Sequence, residues 1–168
     1  MPSRPTPTGL YLGVDPGLNK TGYALVEWVA GRAVLREGGL VRSTQSRTLA
    51  QRVLEIGHGL REVIEEHKPK VMAIEQVFSY GRNPKTALLM AHARGAILMT
   101  AASCEIPVVH YTPTQIKRLL TGSGKASKEQ IQHAVKAELR LKEILEPNDV
   151  ADASAIALCV CHSLKFAA

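Results

Sequence analysis

The sequence predicts an α/β domain, a five-stranded mixed sheet flanked by helices. Three observations predict it. Apolar, β-branched and aromatic residues gather into short runs over the first forty residues, and the apolar spacing then changes to steps of three and four. Beyond that point helix and strand patterns alternate, so the order reads strand, strand, strand, helix, strand, helix, strand, then helices. With 168 residues, 45% of them apolar and 21% charged, the chain can bury one hydrophobic core, which excludes a globally disordered protein. We expect a flexible N-terminal tail over residues 1–9 and a single domain over residues 10–168.

The first strand is expected over residues 10–14 and the second over 22–29, with Pro16-Gly17-Leu18-Asn19 between them as turn chemistry. Gly31-Arg32 separates the second from a third over 33–41, where polar and apolar residues partly alternate, so the three form an antiparallel meander. Leu49, Val53, Ile56, Leu60 and Ile64 make one helical stripe over 48–67, ended by Lys68-Pro69. Val71-Met72-Ala73-Ile74 then reads as a buried strand carrying Glu75 at its end, parallel to the first. After a polar loop over 79–85, the helix over 86–102 is apolar nearly all round, with Ala91, Ala93, Gly95 and Ala96 permitting close approach. Burial in the core and a dimer seam both satisfy that pattern. A fifth strand over 106–111 and helices over 114–120, 127–141 and 147–165 complete the chain. The sequence has no internal repeat and no low-complexity segment.

No apolar stretch reaches the roughly 20 residues that cross a bilayer. Arg4 is followed by no apolar segment of the kind a secretion signal carries, so a cytoplasmic protein is expected. Cys104, Cys159 and Cys161 are then expected as reduced thiols, Cys159-x-Cys161-His162 being packed on a helix rather than set for zinc. His92, His110 and His133 are expected to be structural. Twenty-one Lys and Arg against fifteen Asp and Glu, a net charge of +6, favour a polyanionic partner.

Acidic residues stand where acids are costly. Asp15 ends the first strand beside a tight turn, and Glu75 ends the apolar fourth. Asp149 and Asp152, three residues apart, lie about 60° from each other on one face of a helix that is otherwise nearly apolar. The helix dipole accounts for Asp149 but less well for Asp152. Inward-facing acids call for a cation, and an all-oxygen set suits Mg²⁺ or Mn²⁺. Asp15, Glu75, Asp149 and Asp152 could hold two ions about 3.5–4 Å apart, the arrangement of two-metal phosphoryl transfer, with Asp15 bridging both.

At these residues the sequence resembles the RuvC family of Holliday junction resolvases, which have the RNase H-like fold. Leu12-Gly13-Val14-Asp15-Pro16-Gly17 and Thr21-Gly22-Tyr23 resemble its opening motif. Ala73-Ile74-Glu75-Gln76-Val77-Phe78 and Ala93-Arg94-Gly95 resemble its second block, and Asp149-Val150-Ala151-Asp152-Ala153 its closing one. The resemblance implies a homodimeric, metal-dependent endonuclease that nicks two strands symmetrically across a four-way DNA junction and leaves 5′-phosphates. It also implies cooperation with a branch-migration complex (RuvA and RuvB). By position, Phe78 corresponds to an aromatic that stacks on junction bases, Lys117 and Lys128 to basic residues of the active-site region, and the helix over 86–102 to the dimer helix.

The basic residues concentrate. Between Lys117 and Lys142 seven Lys and Arg oppose two Glu, and Arg82, Lys85 and Arg94 follow Phe78 with no acid among them. Arg82, Lys85, Lys117, Arg118, Lys125 and Lys128 are candidate phosphate contacts, with Lys128 also a candidate to stabilise charge at the reacting phosphate. Aromatics at 4% leave little for a stacking platform, so shape and backbone recognition are expected. Gly122-Ser123-Gly124-Lys125-Ala126 lacks the first Gly and the final Ser or Thr of a Walker loop, so ATP binding is not expected. The alternatives are a non-catalytic junction-binding module, a nuclease for linear DNA or RNA, and a small actin-like phosphotransferase, a fold that closes over nucleotide with a second domain.

Overall fold

The first three strands are a meander, β1 (Gly9–Asp15), β2 (Lys20–Val29) and β3 (Arg32–Arg42), paired antiparallel in that order. The tight turn from β2 to β3 puts Ala30 and Gly31 at φ 50° and 77°, and the glycine takes that geometry without strain. The chain then crosses through helix α1 (Leu49–His67) to β4 (Val71–Glu75), which lies parallel to β1. Helix α2 (Pro84–Ser103) leads to β5 (Val108–Tyr111), parallel to β4. Helices α3 (Pro113–Thr121), α4 (Lys128–Glu138) and α5 (Asn148–Ala167) close the fold. The computed structural model describes residues 8–76 and 83–167. The five-stranded mixed sheet expected from the sequence is present, in the order β3-β2-β1-β4-β5.

Helix starts follow capping chemistry. Thr48, Thr112 and Ser127 each accept from a backbone N–H three residues on, and Gln51, Gln115 and Gln130 reach back to complete three capping boxes. Most boundaries move by one or two residues from expectation, β2 starting at Lys20 instead of 22, and four of the differences are instructive. Gly9 already pairs with Trp28, so β1 starts one residue inside the expected tail. The expected fifth strand loses Ile106 and Pro107, because the Ile106 N–H is spent on the Ala101 carbonyl and Pro107 has none. Helix α4 stops at Glu138 instead of 141, where Arg140 turns to φ 54°. Helix α2 begins at Pro84, capped by Asn83.

The sheet separates two cores. On one face Leu12, Val14, Leu25, Met72 and Ile74 pack with Ile56 and Leu60 of α1 and Ile97 of α2. On the other, Tyr11, Val26, Trp28 and Ala73 pack with α5, which α3 and α4 cover in turn through Ile116 and Val135. Helix α5 is therefore buried almost throughout from Val150 to Cys161. Helix α2 is different. Ala93, Ile97, Thr100 and Ala101 are buried, but Leu88 and Met99 are 62% and 67% exposed and Gly95 faces open space. Among the described residues, burial thus accounts for only one side of this apolar helix.

Candidate active site

Strand alternation aims the first two acids. Leu12 and Val14 of β1 and Met72 and Ile74 of β4 face α1 and α2, so Gly13, Asp15, Ala73 and Glu75 face α5. Val14 pairs with Ile74, and Asp15 and Glu75 stand one residue further on, side by side at the strand ends. Two glycines bring α5 down to them. A Cβ on Gly13 would lie 2.0 Å from the Ala153 carbonyl oxygen, and one on Gly22 would lie 2.3 Å from that of Asp149. With no side chain at either position the helix rests directly on β1 and β2, and its first turn delivers Asp149 and Asp152 to Asp15.

The electrostatics follow from that geometry. The Asp15 carboxyl is pushed up from 3.8 to about 7, first by burial and then by Asp152, Asp149 and Glu75, with Lys128 opposing. Burial and Asp152 also raise Glu75, against the pull of Lys117 and Arg94. The two helical acids have lysine partners. Lys20 Nζ lies 2.7 Å from Asp149 Oδ2, and Lys128 Nζ lies 3.3 Å from Asp152 Oδ2. Among the described residues no three ligating side chains converge on one point, consistent with Asp149 and Asp152 being turned to these ammonium groups. In chemistry the set still fits hard divalent cations, since three carboxylates surround a fourth, the half-buried Asp15, that positive charge would relieve.

Beside the acids opens a cleft of about 260 Å³, with Glu75, Asp152, Lys117 and Lys128 on its wall and Ile116, Ile131 and Ile156 as its apolar lining. Arg94 of α2 supports the same region from below. Its guanidinium donates to the Glu75 carbonyl oxygen and meets His110 Nδ1 of β5 at 2.7 Å. The Gln76 N–H continues the ladder to Tyr111 O at 2.7 Å, so the end of β4 is held from both sides.

Known proteins decide which enzymes build this arrangement. The profile of the family described as crossover junction endodeoxyribonuclease RuvC matches residues 11–162. The chain belongs to the RuvC family of crossover junction endodeoxyribonucleases. RuvC of Rhodopirellula baltica is 51% identical over 157 residues, covering 94% of this chain and 88% of the relative. RuvC of Desulforamulus reducens is 42% identical over 150 residues, covering 89% and 91%. The structure of Thermus thermophilus RuvC in complex with Holliday junction substrate superposes with a TM-score of 0.88 at 33% identity, covering 95% of this chain and 96% of that one. The fold is RNase H-like, as the motif resemblance implied.

In this RuvC-family chain, Asp15, Glu75, Asp149 and Asp152 are brought together, with Lys128 and Lys117 at their edge. Arg118 and Lys125 are exposed near the turn after α3, outside the cleft lining, and Lys85 is exposed in the first turn of α2. Phe78 and Arg82 lie outside the described residues. Three partnerships escaped the sequence: Lys20 with Asp149, His110 with Arg94, and His162 with Glu138 at 2.8 Å. The first could have been sought in any basic residue following the turn after Asp15. Cys159 and Cys161 are buried, and burial pushes both thiols up, Cys161 to about 12, which leaves them unreactive.

Proposed function

We propose that this enzyme resolves Holliday junctions in homologous recombination and DNA repair by paired symmetric nicks that leave 5′-phosphate and 3′-hydroxyl ends. The observation that carries the reading is the cluster of four acids, drawn from two strand ends and one helix, with the half-buried Asp15 among them. A family member bound to Holliday junction substrate supports the choice of a four-way junction over linear DNA or RNA.

Asp15, Glu75, Asp149 and Asp152 are the residues that would hold two divalent ions, Mg²⁺ or Mn²⁺. Such ions, once bound, would supply Lewis-acid activation of water and charge relief at the leaving 3′ oxygen. The chain's own contribution is to set the acids rigidly and to shape the approach. Asp15 is flanked by the strand acid Glu75 and the helix acids Asp149 and Asp152, so it is the acid of the set that bound positive charge would relieve most. Lys117 favours the ionised form of Glu75, and Lys128 stands where it can offset charge on the reacting phosphate. Lys85, Arg118 and Lys125 are assigned to the DNA backbone, as are Phe78 and Arg82 to the junction by their position in the motif.

A symmetric cut needs two sites related by a twofold axis, and the exposed apolar side of α2 supports homodimerisation through that helix. We assign the chain to one domain that begins with β1 at Gly9 instead of at residue 10, a cytoplasmic location and cooperation with the branch-migration complex (RuvA and RuvB). No helix among the described residues is long and apolar enough to cross a membrane. The direct test is Asp15→Asn. It should bind a synthetic four-way junction with unimpaired affinity yet fail to cut it with Mg²⁺ or Mn²⁺, and retained cutting would sink the assignment.

A further inference from the structure

Of the two lysines that hold the helix acids, Lys128 belongs to α4 and Lys20 to the sheet. Lys20 begins β2, immediately after the turn that follows Asp15. That turn is fastened from within. The fully buried Thr21 hydroxyl donates to the Gly17 carbonyl at 2.8 Å and accepts from the Gly17 N–H at 3.2 Å. A Cβ on Gly17 would lie 2.3 Å from the Lys20 carbonyl oxygen, so the backbone doubles back closely under the lysine. Asp149 is equally confined, its carbonyl oxygen lying against Gly22. Between two fixed backbones the movable part is the lysine stem, whose side chain is 43% exposed against 24% for Asp149.

The consequence concerns the order in which charges are cancelled. Asp149 and Asp152 already carry ammonium partners, whereas Asp15 has no salt bridge among the described residues. A divalent ion entering beside Asp15 finds one acid ready for relief and must trade with a lysine at another. We propose that Lys20 is a positioning residue that occupies Asp149 until a divalent ion displaces it, and thereby sets how tightly the acid cluster takes that ion. The proposal rests on the metal-dependent reading above and adds a competitor internal to the chain.

The test is ion binding without DNA, so that it does not depend on turnover. Mn²⁺ affinity is measured by calorimetry on the full chain for wild type, Lys20→Met, Lys20→Arg and the exposed control Lys142→Met. Lys20→Gln serves as a second neutral variant should methionine perturb folding. Removing the competitor should tighten binding about two- to fivefold, the range that an exposed ion pair commands. Lys20→Arg should keep the wild-type affinity, and Lys142→Met should not reproduce the gain, which separates competition at Asp149 from a change in overall charge. Unchanged or weaker binding in both neutral variants would overturn the proposal, because a lysine that merely braces Asp149 would weaken the site when lost. Absence of Mn²⁺ binding by wild type itself would instead overturn the metal-dependent reading, and this proposal with it.

Discussion

Replacing Asp15 with Asn should stabilise the protein in the absence of metal while destroying its activity. In the folded chain the carboxyl binds its proton up to about pH 7, against 3.8 for the ordinary group. Between those limits the folded state holds more protons than the unfolded one, so stability falls as pH rises from about 4 to about 7. A move from 3.8 to about 7 corresponds to at most about 4 kcal/mol, at roughly 1.4 kcal/mol per tenfold change. Asn carries no charge and is spared that cost. Denaturant unfolding of wild type and Asp15→Asn at pH 4 and pH 8, each in EDTA and in Mg²⁺, gives the four comparisons needed. The two proteins should match at pH 4, and Asp15→Asn should be more stable by about 2–4 kcal/mol at pH 8 in EDTA. Mg²⁺ should raise wild type more than the variant. Equal stability at pH 8 in EDTA would refute the claim that burial and three neighbouring acids crowd this carboxylate.

Gly13→Ala places a methyl group against the Ala153 carbonyl and should lift α5 from the sheet, costing about 3 kcal/mol or more in thermal unfolding and most of the cutting activity. Lys128→Met should leave junction binding within a few-fold and lower the single-turnover cutting rate on the order of 10²-fold, as expected for a group that acts on transition-state charge. A Leu88→Glu, Met99→Glu double variant should sediment as a monomer with its circular dichroism unchanged, since both side chains are exposed in the single chain; a dimer that survives would move the interface elsewhere.

The acids were legible in the sequence because each violates a local rule. Asp15 and Glu75 end apolar strands, and Asp152 interrupts an apolar helix, so each stands out without knowledge of its neighbours. Their convergence is inferred from the cost of burying unpaired acids, and the motif resemblance then makes the set specific. What brings them together is a pair of glycines on different strands, and nothing local in Gly13 or Gly22 says that a helix from the far end of the chain will lie on them. The lysine partners are harder still. Lys128 is marked by the motif resemblance, but Lys20 looks like an ordinary surface cation until tertiary packing sets it beside Asp149.

The same distinction explains the fold-level differences. Capping boxes at Thr112 and Ser127 are local, and helix starts there could be placed closely. The end of α4 depends on Arg140 taking a left-handed conformation with no glycine to mark it. Helix α2 is apolar all round, a pattern that requires a cover without specifying its source. Part of that cover is α1 and the sheet, and among the described residues none covers Leu88 and Met99.

The most direct measurement of the central claim is cutting rate on three substrates side by side, a four-way DNA junction, the duplex of its arms and an RNA–DNA hybrid, with Mg²⁺ and with EDTA. The account predicts paired nicks at symmetric positions in the junction, at least tenfold slower cutting of duplex and hybrid, and none in EDTA. Equal rates on duplex or hybrid, or cutting that persists in EDTA, would contradict it.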